Sequence, residues 1–67
     1  MKLVVNAVES DVDETVTVAD IVFGLTGAES RGIAVAINDE VVPRSAWADT
    51  RPTEGDRVEV LSAVQGG

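Results

Sequence analysis

An α+β fold, a mixed sheet with one helix packed across one face as a roll, is predicted by three observations. A single segment with helical period, Val18 to Leu25, stands among several short β-branched runs. The element order reads β, β, α, β, a short hairpin partner, β. The final run, "RVEVLSAV", is almost uninterrupted and long enough to anchor a sheet. With 67 residues the chain forms one domain, near the size at which only about 60% of the unfolded surface is buried. A compact core is possible, a deep active-site cleft is not, and the stability margin is small.

The elements follow in order. "KLVVNAV" at 2–8 is β-branched and apolar and predicts the first strand, with Leu3 and Val5 on its buried face. The acidic stretch "ESDVDE" reads as a solvated turn, and "TVT" at 15–17 as the second strand of a hairpin. Val18, Ile21, Val22 and Leu25 then fall at the i, i+3, i+4, i+7 spacing of one apolar helical stripe. Thr17 with Asp20 three residues on resembles a capping box, and Gly27 suits the left-handed residue after a last turn. "GIAVAIN" at 32–38 and "EVV" flank an Asn38-Asp39 turn and predict a short hairpin. Pro43 ends it, because it has no N–H for a ladder, and "RSAWAD" predicts a single helical turn that carries Trp47 into the core. "PTEGD" at 52–56 is turn chemistry before the last strand at 57–64.

Composition removes whole classes of function. Five basic against twelve acidic residues give a net charge of −7, which repels phosphate backbones and anionic lipid, so neither nucleic acid nor a membrane surface is expected as a partner. A basic groove on another protein would attract this chain, although an acidic surface that merely keeps it soluble accounts for the charge equally well. There is no Cys and no His. Disulfides, thiolate zinc sites, cysteine nucleophiles and the commonest general base are therefore excluded. "MKLVV" is too short for a signal peptide or a membrane span, and a cytoplasmic location is expected.

Few side chains are candidates for chemistry. Glu9, Asp11, Asp13 and Glu14 lack the central Gly and distal Glu of a calcium-binding EF-hand loop. Asp49, Glu54, Asp56 and Glu59 fall in turns or on a strand's exposed side, not in the apolar pocket that acid/base work by paired carboxylates requires. "TVTVADI" has no phosphate-binding glycine pattern. No catalytic residue and no metal site are predicted.

The last residues are a different matter. Gly66 and Gly67 follow directly on the final strand, and no bulky group lies beyond Gln65. Without Cβ atoms such a tail lies extended in a channel too narrow for side chains. Its carboxylate can enter a partner's active site while the globule stays outside, and an enzyme holding ATP can convert it to an acyl-adenylate open to a sulfur or nitrogen nucleophile. One domain over 1–67 with a flexible Gly-Gly tail is the expectation.

The chain resembles the ubiquitin-like sulfur carriers of β-grasp fold, within them the sulfur carrier family of thiamine biosynthesis, ThiS. The likeness runs through "KLVVNA", "TVTVADI", "GIAVAINDEVVPRSAW", "EGDRVEVL" and the terminal "GG". The central block with its V-P-R-x-x-W ending is its most specific part; Gly-Gly alone is shared with ubiquitin and with the small subunit of molybdopterin synthase. The resemblance implies a co-substrate and not an enzyme. Gly67 would carry the reacting carboxylate and Gly66 the thin neck. An E1-like adenylyltransferase would activate Gly67 with ATP and Mg, themselves not bound by this chain. Sulfur from cysteine, delivered through a desulfurase, would then give a thiocarboxylate that thiazole synthase consumes. It also implies that the sheet face opposite the helix docks partners. With Val58 and Val60 assigned to the core, the candidate contacts are Val4, Leu61, Ala63 and Gln65. Carriage of sulfur for molybdopterin or another pathway, conjugation to lysines, and a binding module with an inert tail are the alternatives.

Overall fold

The computed structural model describes residues 1–27 and 31–62. The elements are β1 (Lys2–Val5), β2 (Val8–Asp11), α1 (Val18–Thr26), β3 (Ile33–Ile37), β4 (Glu40–Val42), a 3₁₀ turn η1 (Arg44–Asp49) and β5 (Arg57–Ser62). They form one mixed sheet of order β2-β1-β5-β3-β4. β1 and β5 run parallel, and the other pairs are antiparallel. The predicted α+β class and element order hold.

One element is placed differently from the sequence reading. The chain reverses at Asn6-Ala7, whose φ values of 50° and 69° are the positive pair that a two-residue hairpin loop requires. The second strand is therefore Val8–Asp11, and the acidic residues Glu9 and Asp11 belong to it rather than to a turn. Residues 15–17 form no strand and lead into the helix. The acids misled because alternation across a half-exposed edge strand leaves one face entirely polar.

The helix is built as its sequence indicates. Thr17 is the N-cap, its hydroxyl accepting from the Asp20 N–H at 3.1 Å while the Asp20 carboxylate accepts from the Thr17 N–H at 3.0 Å. Gly27 closes the last turn with φ 70° and ψ −141°, a positive-φ conformation outside the left-handed helical region and open essentially to glycine alone. Val18, Ile21 and Val22 are buried, whereas Leu25, at the end of the predicted stripe, stays 52% exposed. Leu25 faces an open cleft that it shares with Val5, Ser10 and Val12 rather than the packed core.

Leu3, Val5, Val18, Ile21, Val22, Val35, Trp47 and Val58 make the core. Register explains the selection: Val5 pairs with Val58, Val58 with Ile37, and Val35 with both Val60 and Val42, all on the face toward the helix. Trp47 seals one end of this core, as the sequence predicted. Its indole N–H donates to the Val42 carbonyl at 3.0 Å, and Arg44 lies 5.4 Å over its ring, a cation–π stack that keeps the guanidinium at the surface. Phe23, the other aromatic, is 65% exposed.

Candidate functional site

The strand that leads to the tail is the middle strand of the sheet, held on both sides. β1 pairs with its first half through Val4–Arg57 and Val5–Val58, and β3 pairs with its whole length from Ile37–Val58 to Ile33–Ser62. Two turn asparagines add to this grip. Asn6 sits where β1 turns away. Its N–H donates to the Val58 carbonyl at 2.9 Å, and its Oδ1 accepts from the Val60 N–H at 2.8 Å. The side chain thus continues the parallel ladder after the main chain has left it. On the other flank, Asn38 Oδ1 accepts from the Arg57 N–H at 2.9 Å, and Asn38 Nδ2 donates to Asp56 at 3.0 Å. Both asparagines have φ near 50°, a conformation Asn tolerates better than other side-chain-bearing residues. Sequence reasoning placed Asn38 in a turn and Asn6 in a strand, and saw neither as a clamp on β5.

Asp56 anchors the approach to β5. Its carboxylate accepts from the Thr53 N–H at 2.8 Å and hydroxyl at 3.2 Å, in addition to Asn38. The Thr53 backbone bond is the main reason its pKa lies below the ordinary carboxylate value, with the Asn38 bond assisting.

The face of the sheet away from the helix carries Lys2, Val4, Glu9, Asp11, Ala34, Ala36, Val41, Arg57, Glu59 and Leu61, as the registers require. Leu61 is 63% and Val41 74% exposed. Ala34 lies beside Leu61, and Ala36 between Val41 and Glu59, so two large aliphatic side chains flank a shallow floor of alanines. Around them Arg57 pairs with Asp39 at 2.8 Å and Lys2 with Asp11 at 3.2 Å. Asp11, by hydrogen bond and by charge, raises the Lys2 pKa.

Of the sequence-predicted contacts, Val4 and Leu61 lie on this face, but Val4 is only half-exposed. It stands beside Arg57, about 13 Å along β5 from Leu61 at the usual strand rise. The apolar neighbours of Leu61 are on β3 and β4 instead. Ala63, Gln65, Gly66 and Gly67 lie outside the described residues. Among the described residues, no group of three or more Asp or Glu is placed to hold a metal ion, and no helix is long and apolar enough to cross a membrane.

A five-stranded mixed sheet with parallel first and last strands and one helix across a single face defines a β-grasp domain. Its likeness to solved structures is close. The crystal structure of the thiamine biosynthesis protein ThiS from Geobacter metallireducens superposes with a TM-score of 0.80 at 36% identity, over the full length of both chains. The solution structure of a thiamine biosynthesis protein from the same organism gives 0.77 at 35% identity, over all of this chain and 88% of that one. Residues 2–67 match the ThiS family, and the chain belongs to it. Among curated relatives, a thiazole synthase of Paramagnetospirillum magneticum is 37% identical over 67 residues, all of this chain but 20% of that protein. The sulfur carrier protein ThiS of Escherichia coli is 39% identical over 36 residues, 54% of each chain. The chain thus spans about a fifth and about half of these two relatives.

Proposed function

We propose that this chain carries sulfur for thiamine biosynthesis, with Gly67 as the modified residue and thiazole synthase as the acceptor of its sulfur. The observation that carries this reading is the ThiS family match, which extends through residue 67 and so includes Gly66 and Gly67. The relative named thiazole synthase, which contains a segment similar to this entire chain, supports that partner.

The chemistry needs little from the carrier beyond presentation. A carboxylate oxygen of Gly67 attacks the α-phosphorus of ATP on an E1-like adenylyltransferase, and pyrophosphate leaves. The outer sulfur of a cysteine-derived persulfide displaces AMP at the acyl carbon to give an acyl disulfide. A second thiol attacks the sulfur that bears the donor cysteine, forming a disulfide with it and releasing the thiocarboxylate. The side-chain-free neck at Gly66 lets the acyl carbon reach buried catalytic groups, while β5, paired on both edges, fixes where the tail departs. The floor of Ala34 and Ala36 between Leu61 and Val41 is the surface on which the partners grip, since large aliphatic residues over a flat apolar floor make good anchors.

The experiment incubates the purified chain with the adenylyltransferase, ATP, Mg and a sulfur donor, then measures intact mass. The expected result is one oxygen-for-sulfur exchange, located to Gly67 by fragmentation and abolished by deletion of Gly66 and Gly67. The Leu61→Asp variant should be charged several-fold more slowly at limiting enzyme. A mass that never changes in the complete mixture overturns the assignment.

A further inference from the structure

The sheet has an unused edge beside an apolar cleft. β2 is the outermost strand, and its bonding pattern fixes which groups face outward. Met1 and Val12 exchange both main-chain bonds, at 3.1 and 2.8 Å. Alternation by two then puts the pairs Leu3–Ser10 and Val5–Val8 in bonded positions, and leaves the N–H and C=O of Glu9 and Asp11 pointing away from the sheet. Among the described residues none pairs with them.

Between this edge and α1 lies a cleft of about 250 Å³ walled by Val5, Val12, Val16, Ile21 and Leu25. Gly24 lies on its wall, and a Cβ at that position would meet nothing within 4 Å. A glycine inside a nine-residue helix weakens the helix relative to alanine, and nothing in the packing of the domain requires it. The cleft is smaller than the roughly 300–1,000 Å³ of sites for small organic ligands. Its walls suit one or two aliphatic side chains.

The two faces of β2 differ in chemistry. Toward the helix it presents Val8, Ser10 and Val12, and toward the opposite face Glu9 and Asp11. A strand added to this edge meets the apolar cleft with every second residue and carboxylates with the residues between. A second copy of the chain is a poor occupant, since it would set one acidic β2 against another in a molecule of net charge −7. The fitting charge is already present once, in the Lys2 ammonium that pairs with Asp11 directly across β1 and β2.

We propose that the β2 edge and the α1 cleft form a docking site for an extended segment of a partner protein in which apolar and basic residues alternate, bound as a sixth strand. Main-chain bonds at Glu9 and Asp11 supply register, the cleft takes the apolar side chains, and the two carboxylates select lysine or arginine between them. The site stands apart from the Leu61–Val41 surface, so both can be occupied together, and it holds whether or not Gly67 carries sulfur.

The probe is the acetylated, amidated heptapeptide KVKVKVK, titrated into the isotope-labelled full chain and followed by NMR. The expected result is shifts concentrated at residues 8–12 and 21–25, with slowed solvent exchange of the Glu9 and Asp11 amides. Gly24→Leu, which fills the cleft while raising helix propensity, should weaken binding at least tenfold with the circular dichroism of the fold retained. Glu9→Lys should weaken it roughly two- to fivefold and turn the preference toward EVEVEVE, the size expected of one cross-strand charge pair. Absence of binding, equal binding of heptalysine, shifts spread over the acidic surface without amide protection, or undiminished binding by Gly24→Leu would each overturn the proposal.

Discussion

Replacing Asn6 tests whether a turn side chain holds the tail-bearing strand. In Asn6→Ala the main-chain bond to Val58 survives, while the 2.8 Å acceptor for the Val60 N–H is lost. That bond contributes about 1 kcal/mol net. An alanine held at φ 50° adds roughly 1 kcal/mol of left-handed strain. The sum, about 2 kcal/mol, is a large share of the stability of so small a domain and corresponds to a fall in Tm of roughly 8–16 °C. Two further variants separate the parts. Asn6→Gly removes the acceptor without the strain and should lose about 1 kcal/mol, and Asn6→Asp keeps an acceptor and should stay within about 0.5 kcal/mol of the parent. Urea unfolding of the four proteins measures the order, and hydrogen exchange at the Val60 amide reports the bond itself. A glycine variant as stable as the parent, or an aspartate variant as weak as the alanine one, would refute the clamp.

Two other outcomes follow from the same turns. Ala7→Gly places the favoured Asn-Gly pair in the first hairpin at φ 69°, and thermal unfolding should show a gain of roughly 0.5–1 kcal/mol; a loss would mean that the Ala7 methyl packs where the structure leaves it exposed. Asp56 has a folded-state pKa below its ordinary 3.8, so its contribution is fully present above that value and disappears as pH falls through the lower folded-state value. Asp56→Asn should therefore narrow the difference in unfolding free energy between neutral pH and about pH 3, and an unchanged acid slope would remove Asp56 from the acid-sensitive groups.

Much of this architecture is legible from residue pattern. The capping box at Thr17, the stripe Val18, Ile21, Val22, the Asn38-Asp39 turn and the burial of Trp47 all follow from local chemistry that tertiary packing reinforces. Alternation along β5 puts Val58 and Val60 on one side without saying which side faces the helix, and the structure turns that pair inward. The first hairpin was hidden because Ala7, not glycine, occupies the second positive-φ position, and because Glu9 and Asp11 disguise an edge strand as a loop. The exposure of Leu25 depends on the open cleft it faces, which helical period does not encode. Similarly, the Leu61 surface needed the β3–β5 register, since Ala34 and Ala36 acquire meaning only once they are set beside Leu61 and Val41. The chemistry expected of Gly67 was read from residue type and family likeness, and it lies outside the described residues.

The parallel union of β1 with β5 also governs when the protein can exist at all. The two hairpins, β1–β2 and β3–β4, are local and can form early, but the strand that joins them follows both in the chain, and Val4 must wait for Arg57. Closing that separation is entropically expensive and comes late in folding. A polypeptide lacking β5 has two disconnected ribbons, so the shared interior depends on the same strand that leads toward the glycines.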